Sequence, residues 1–546
     1  MGSLHGFDWL IVAAYFLVVF GVAGYAYWRE RLGGETSAGY FLAGRNVGWF
    51  VIGASLFASN IGSEHLVGLA GAGASSGVVL GQYEVQASLI MLLLGWLFVP
   101  FYLKSGVYTM PEFLERRYGP AARWYLSIIS IVGYVLTKIS VTLAAGGILF
   151  EHLTGQSFWY GALIIVVATG VYTLFGGLRA VLYTDMFQMF VLIGGSVAVT
   201  VAGLYQLGGW GEMVRIAGSD MLTMWKPMND PNFPWTGVVF GAPIVAVWYW
   251  CTDQFIVQRV LSARGIHDAR RGTIFGGYLK QLPLFIFVIP GVIAFCLTRE
   301  GIIELDTADA ALPMLITTLL PTGLRGFVVA GLLAALMSSL SSVFNSCSTL
   351  VTWDVYRKLR PGASERQLVL VGRLSTAVLV VLGLAWIPFM KYIAGELYHY
   401  LQSVQAYISP PVAAVFLVGV FYRRVNGSGA IASLLVGFVL GAVRLIAELN
   451  KTALADGSLL ARYADVNFMH MAVLLFAVCS FVLVVVSWLT RPAPDAKLAG
   501  LTLSTLHAGE PGPPSAVPDP SRRRTEVLLS IVLVGIVVAV WLYFRG

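Results

Sequence analysis

Apolar residues fall into fourteen runs long enough to cross a membrane: 9–28, 48–71, 79–103, 124–153, 158–175, 183–207, 238–257, 273–297, 324–354, 368–390, 398–421, 430–449, 470–489 and 527–544. About 20 apolar residues span a bilayer core as a helix. Backbone N–H and C=O groups find no water there, so only helices or a closed barrel can cross. The pattern therefore predicts an all-α polytopic membrane protein with about 14 transmembrane helices. The second run contradicts itself. Its middle, FASNIGSEHLVG, carries Ser59, Asn60, Ser63, Glu64 and His65 around Gly62. Polar groups at that depth are costly and mark a pathway or site. A glycine-centred interruption also frees carbonyls and N–H groups to hold a ligand, so a broken helix is expected here.

Other polar groups sit where lipid would forbid them. Glu84 and Ser88 in GQYEVQAS share one helix face, beside Gln82 and Gln86. VWYWCTDQ gathers Trp248, Tyr249 and Trp250, which either face a cavity or belong to an interfacial aromatic belt. Lys280 in GYLKQLP must be paired or snorkel to the interface. In AALMSSLSSVFNSCST, residues Ser338, Ser341, Ser342 and Asn345 recur at helical spacing and form one stripe. Uncharged oxygens on one stripe suit a small hard cation, and Asp185 could add a carboxylate. The alternative is hydroxyls bonded back to the preceding turn. Gln402, Gln405 and Tyr407 precede Pro410–Pro411, which interrupt another helix.

Composition agrees with the pattern: 58% hydrophobic and 12% charged, against about 25% charged in ordinary soluble domains. One set of alternate loops holds most of the basic residues, including Arg45, Lys104, Arg116, Arg179, Arg259, Arg264, Arg270, Arg271, Arg357, Lys358, Arg423 and Arg522–Arg524. The positive-inside rule makes that set cytoplasmic and both termini extracytoplasmic. The basic excess thus records topology rather than a nucleic-acid partner. Cys251, Cys296, Cys347 and Cys479 show no close-spaced pair, so neither a disulfide framework nor a zinc site is expected. No catalytic motif emerges, and polar groups inside interrupted spans favour a transporter over an enzyme or a channel. Segment 491–524, rich in Pro, Gly, Ala and Ser, reads as a flexible cytoplasmic linker to a last helix expected to be peripheral.

The stretches FLAGRNVGWFVIGASLFASNIGSEHLVGLAG, GVYTMPEFLERRYG, TKIS, TLFGGLRAVLYTD, WYWCTDQFIVQRVLSA, GYLKQLP, LPTGLRG, LMSSLSSVFNSCSTL and SPPVAAVFL, in this order, resemble the sodium/solute symporter family. The similarity is greatest to its sodium/glucose and sodium/myo-inositol cotransporter branch, from about residue 41 to 425 and more weakly to 490. The resemblance implies a five-plus-five inverted-repeat (LeuT-type) core. On that plan 1–47 is an extra helix and loop, 48–207 the first repeat, 208–237 an extracellular connector and 238–425 the second repeat. Two further helices occupy 426–490, with the linker and last helix at 491–524 and 525–546.

The resemblance also implies the ligands. A coupling Na+ is expected on the carbonyls of Ala58, Ile61 and Ala335 and the hydroxyls of Ser338 and Ser339, with a second on Asp185, Ser341 and Ser342. Sugar contacts are expected from Asn60, His65, Glu84, Lys280 and Gln402, with Tyr249 as an aromatic gate and Trp250 beside it. Glu64, Ala246 and Gln405 are specificity candidates: Glu64 stands where glucose transporters often have glycine and myo-inositol members can carry glutamate. The expected activity is sodium-coupled import of a hexose across the plasma membrane, or of myo-inositol or another polyol. A sodium- or water-conducting channel and a solute sensor on the same scaffold are the rival readings.

Overall fold

The computed structural model describes residues 4–32, 36–62, 64–155, 157–390, 397–455, 457–506 and 519–546. Residues 507–518 of the 491–524 linker lie outside them, as do the side chains of Glu64 and Gln402. Among the described residues there are helices and only isolated β-bridges. Twelve helices are long and apolar enough to span a membrane. Phe158–Leu207 accounts for two crossings: its 50 residues would extend about 75 Å if straight, against a hydrocarbon core of about 30 Å. The turn falls at Gly177, whose φ of 53° and ψ of −158° are open only to glycine. With the shorter apolar helix Trp49–Asn60 and the turns that continue it, the crossings number fourteen, as expected.

The break expected in the second run is present, but the one expected at Pro410–Pro411 is not: Leu397–Phe421 runs as one helix through both prolines. Trp49–Asn60 stops at Ile61, which is extended (φ −73°, ψ 101°), and helical structure resumes at Glu64. The seventh crossing breaks in the same manner at Asp253 (φ −75°, ψ 127°), whose carboxylate caps the helix Gln254–Leu261 by accepting from the Phe255 N–H. A third interruption separates Ile266–Leu279 from the turn beginning at Leu284, with Lys280 as the C-cap.

Lipid offers no hydrophobic drive between helices, so they associate through small residues that let backbones approach. Gly53 lies against the backbone of Gly272, where an added Cβ would sit 2.8 Å from its carbonyl oxygen. Gly73 lies equally close to Val288, its Cβ 2.3 Å from that carbonyl. Each half of the first broken helix therefore packs backbone to backbone on one half of the interrupted helix that carries Lys280. Leu324–Leu350 runs through the centre and is almost wholly buried. Asp8 holds its start, accepting from the N–H groups of Gly323 (2.7 Å) and Gly326 (2.9 Å). A carboxylate suits a helix N-terminus because unpaired N–H groups and the helix dipole converge there.

Near the beginning of the chain Asp8 lies against Gly323, and near its end the Phe544 carbonyl accepts from the Met224 N–H at 2.8 Å. Two expectations are corrected. Arg259 is not a loop residue: it is fully buried, because the second broken helix turns its C-terminal half into the bundle. The last helix, Pro520–Tyr543, is not apolar throughout: it carries the fully buried carboxylate of Glu526, which holds it to the bundle.

Candidate functional site

The break after Asn60 puts its side chain among groups from three other crossings. Asn60 Nδ2 donates to the Tyr249 hydroxyl at 2.9 Å, and its Oδ1 accepts from Lys280 Nζ at 2.5 Å. Lys280 Nζ also donates to Glu84, and the other Glu84 oxygen lies 3.2 Å from His65 Nε2. Asn60, His65, Glu84 and Lys280 are all buried. Of the two fates open to Lys280, pairing wins: a buried ammonium is tolerable only with a carboxylate and further hydrogen bonds around it. Trp250 lies under the ammonium, 5.5 Å from Nζ to ring centroid. Five of the expected sugar contacts, Asn60, His65, Glu84, Lys280 and Tyr249, thus form one continuous chain of hydrogen bonds, with Trp250 against it.

Gln405 lies outside that chain of hydrogen bonds, lining a cavity of about 30 Å³ with Thr137, Trp248 and Lys138, the residue beside the Tyr249 ring. Ala246 is half-buried one turn before the aromatic cluster. Gln82, Gln86 and Ser88 are taken up by structure: they bond the carbonyls of Met224, Val238 and Gly277. Lys138 and Asp253 were not anticipated. Lys138 Nζ lies 2.9 Å from Asp253 Oδ2 and 4.4 Å from the centroid of the Tyr249 ring, while the Tyr134 hydroxyl donates to the other Asp253 oxygen. An ion pair thereby closes the far face of the tyrosine. The lysine in TKIS and the aspartate in WYWCTDQ were visible as intramembrane charges; their partnership across 115 residues was not.

The serine stripe meets the broken helix from the other side. Ser339 Oγ donates to the carbonyls of Ser59 (3.0 Å) and Ile61 (3.2 Å), groups that the break leaves without intrahelical partners. Ala58 and Ala335 are buried in the same two segments. Ser338 Oγ donates to Asp185 Oδ1 at 2.5 Å. Around Asp185 stand Ser55, which donates to Oδ2, and Arg259, whose Nη2 is 3.5 Å from Oδ2. Arg259 also donates to Ser55 (2.8 Å), to Ser342 and to the Phe255 carbonyl. Ser341 bonds back to the Ser338 carbonyl. The structure therefore gathers Asp185, Ser338 and Ser342, but through the guanidinium of Arg259, which stands among the loop charges in the charge pattern.

The site has two adjoining parts with different chemistry. Around Asn60 and Lys280, donors and acceptors alternate, which suits hydroxyls that both give and take hydrogen bonds. Around Ile61 and Ser339 the described contacts bring together the Ser59 and Ile61 carbonyls and the Ser339 hydroxyl, uncharged oxygens that suit a small hard cation. Among the described residues no group of three or more His, Cys, Asp or Glu side chains converges as a transition-metal site.

Known proteins share this plan. The model of the sodium:solute symporter family matches residues 40–437. Sodium/glucose cotransporter 4 of Mus musculus is 39% identical over 92% of this chain and 78% of its own. The sodium/myo-inositol cotransporter of Mus musculus is 39% identical over 90% of this chain and 74% of its own. Among solved structures, a substrate-bound, outward-open Na+-coupled sialic acid symporter superimposes with a TM-score of 0.77 at 23% identity, covering 90% of this chain and 99% of its own. Mhp1, a nucleobase-cation symporter, does so at 0.55 and 16%, covering 84% of this chain and 96% of its own. Interrupted helices in a shared architecture, and a family match across most of the membrane core, lead to one statement: this chain belongs to the sodium:solute symporter family, and it is a transporter rather than an enzyme.

Proposed function

We propose that this protein imports a hexose of glucose or galactose type by sodium-coupled alternating access. One observation carries the reading. The hydrogen-bond chain Tyr249–Asn60–Lys280–Glu84–His65 shares a single short stretch of broken helix with the Ser339–Ile61 contact. A cation held by the carbonyls of Ala58, Ile61 and Ala335 and the hydroxyls of Ser338 and Ser339 ties that stretch to the central helix. The same tie orders Asn60 and His65 for the sugar, so the two ligands are coupled because one piece of backbone holds both. Each sugar hydroxyl enters by replacing a protein partner, giving a hydrogen bond to Glu84 or Asn60 and taking one from Lys280. Tyr249 covers the ring, with Lys138 and Asp253 closing the path behind it. Gln402 is a further sugar contact.

A second Na+ is assigned to Asp185, Ser341 and Ser342. There it competes with Arg259, which already neutralises the aspartate, so occupancy requires the guanidinium to swing aside. The membrane potential contributes about 2.3 kcal/mol per charge per 100 mV, hence about 4.6 kcal/mol for two ions. That supports a sugar gradient of roughly three orders of magnitude. The protein is placed in the plasma membrane with both termini extracytoplasmic, in keeping with the basic residues of the alternate loops.

Myo-inositol or another polyol is the second reading, and Glu64, with Ala246 and Gln405, is the observation that favours it. Uptake into liposomes with an imposed sodium gradient separates the readings when labelled glucose, galactose, mannose and myo-inositol are run in parallel. Sodium-dependent accumulation of one of them is expected. Sodium entry with no solute dependence would mean a channel and would end the proposal.

A further inference from the structure

The helix Ile266–Leu279 ends on Lys280, the residue that joins Glu84 to Asn60. Its other end is gripped by the last helix, outside the region matched by the family model. Glu526 is fully buried there. Its Oε2 accepts from Arg270 Nη1 at 2.9 Å, its Oε1 lies 2.5 Å from His267 Nδ1, and Arg271 Nε stands 3.6 Å away. His267 Nε2 accepts the N–H of Asp519 at 2.7 Å, so the imidazole proton sits on Nδ1 and is donated to Glu526. Arg270 lies over the Trp96 ring at 4.2 Å, and Trp96 Nε1 donates to Ser530 Oγ at 3.0 Å, closing the circuit back to the last helix.

Two more contacts continue toward the site. The Tyr278 hydroxyl donates to the Leu529 carbonyl at 2.7 Å, and Leu533 fills the gap at Gly277, where an added Cβ would sit 2.7 Å from its Cδ2. At the far end the Phe544 carbonyl accepts from Met224, and Trp210 Nε1 donates to the Tyr543 hydroxyl at 2.7 Å. A helix merely lying in lipid needs none of these. A carboxylate taken out of water is strongly favoured to keep its cations, so axial sliding of Ile266–Leu279 past the last helix is opposed at Arg270 and at Gly277 together.

We propose that the last helix is a strut for the sugar site and that Glu526 is its positioning residue. Through Arg270 and His267 it holds Ile266–Leu279 at the height that puts Lys280 Nζ between Glu84 and Asn60. The inference rests on Lys280 being a sugar ligand. The test uses full-length protein in liposomes, with the sugar that wild type accumulates best among glucose, galactose, mannose and myo-inositol. Half-saturation for sugar at saturating sodium is compared with the maximal rate per inserted transporter.

Glu526→Gln raises the sugar half-saturation about tenfold while the maximal rate holds within about twofold, and Glu526→Asp recovers most of the loss. A half-saturation that is unchanged, or that moves less than the rate, overturns the proposal. Should Glu526→Gln fail to insert, Ser530→Ala with Tyr278→Phe leaves the buried charges paired and loosens only the strut. A rise of about threefold in that variant supports the strut, and no rise overturns it. Lys280→Met separates the two failures. If it leaves sugar half-saturation unchanged, the assigned site is wrong; if it raises it while the strut variants do not, only the strut is wrong.

Discussion

Two buried acid–base pairs stand one on each side of the first broken helix, and they are built differently. Glu84 meets Lys280, a flexible ammonium with three rotatable donors, among an amide, an imidazole and a phenol. Asp185 meets Arg259, a rigid guanidinium tied at the same time to Ser55, Ser342 and the Phe255 carbonyl. The first pair can exchange partners with an incoming hydroxyl one bond at a time. In the second, the Asp185 oxygens are already taken by Ser55, Ser338 and Arg259, and any cation there must displace an arginine that cannot lose its charge. The comparison teaches that a buried carboxylate is not by itself a cation site or a sugar site: the freedom of its basic partner decides.

The largest expected effect breaks the first pair alone. Glu84→Gln strands the Lys280 ammonium in a buried site, a penalty of about 3–5 kcal/mol. Sugar half-saturation in the liposome assay should rise by two orders of magnitude or more, roughly. The double variant Glu84→Gln with Lys280→Met should lose less than the sum of the two single changes, because no charge is left unpaired. Additive losses would mean the pair does not act as a unit.

Asp185→Asn removes the charge of the second pair. The slope of uptake against sodium should fall from two ions to one, while sugar half-saturation at saturating sodium moves less than about threefold. An unchanged slope removes the second ion from the scheme. A sugar effect as large as that of Glu84→Gln would erase the distinction between the pairs.

Ser339→Ala removes the hydroxyl that bridges Ser59 and Ile61. With about 1–1.5 kcal/mol lost, sodium half-saturation should rise about tenfold, and saturating sodium should restore the sugar curve. Smallest is Tyr249→Phe, which keeps the ring and removes the hydroxyl that accepts from Asn60. A two- to fivefold rise in sugar half-saturation, corresponding to about 0.5–1 kcal/mol, is expected from the same uptake curves.

Much of this arrangement was legible in the chain. The run 48–71 announced its interruption because Asn60, Glu64 and His65 cannot face lipid, and the recurrence of Ser338, Ser341 and Ser342 located the facing helix. Lys280 was visible as a charge that needed a partner. Its partners were not named by pattern alone, since Glu84 lies 196 residues away and hydropathy has no long-range term. Arg259 misled for the opposite reason. It sits at the end of an apolar run where positive charges normally mark the cytoplasm, and only the break at Asp253 folds that end inward. Glu526 escaped notice because it stands just before the last apolar run, where a carboxylate ordinarily meets water.

The break at Asp253 and the continuity of Leu397–Phe421 through Pro410–Pro411 came only from the fold. The sequence by itself determined that the chain lives in a membrane, how often it crosses and that its second run must break. These follow from local chemistry: the cost of putting polar groups in hydrocarbon and the need of every backbone group for a partner. Tertiary structure alone decided which charge answers which: Lys280 to Glu84, Arg259 to Asp185, Lys138 to Asp253 and Arg270 to Glu526. A buried charge states only that it requires compensation. Which cation supplies it depends on how glycine contacts and helix breaks bring distant segments within about 3 Å of one another, and no stretch of chain carries that information alone.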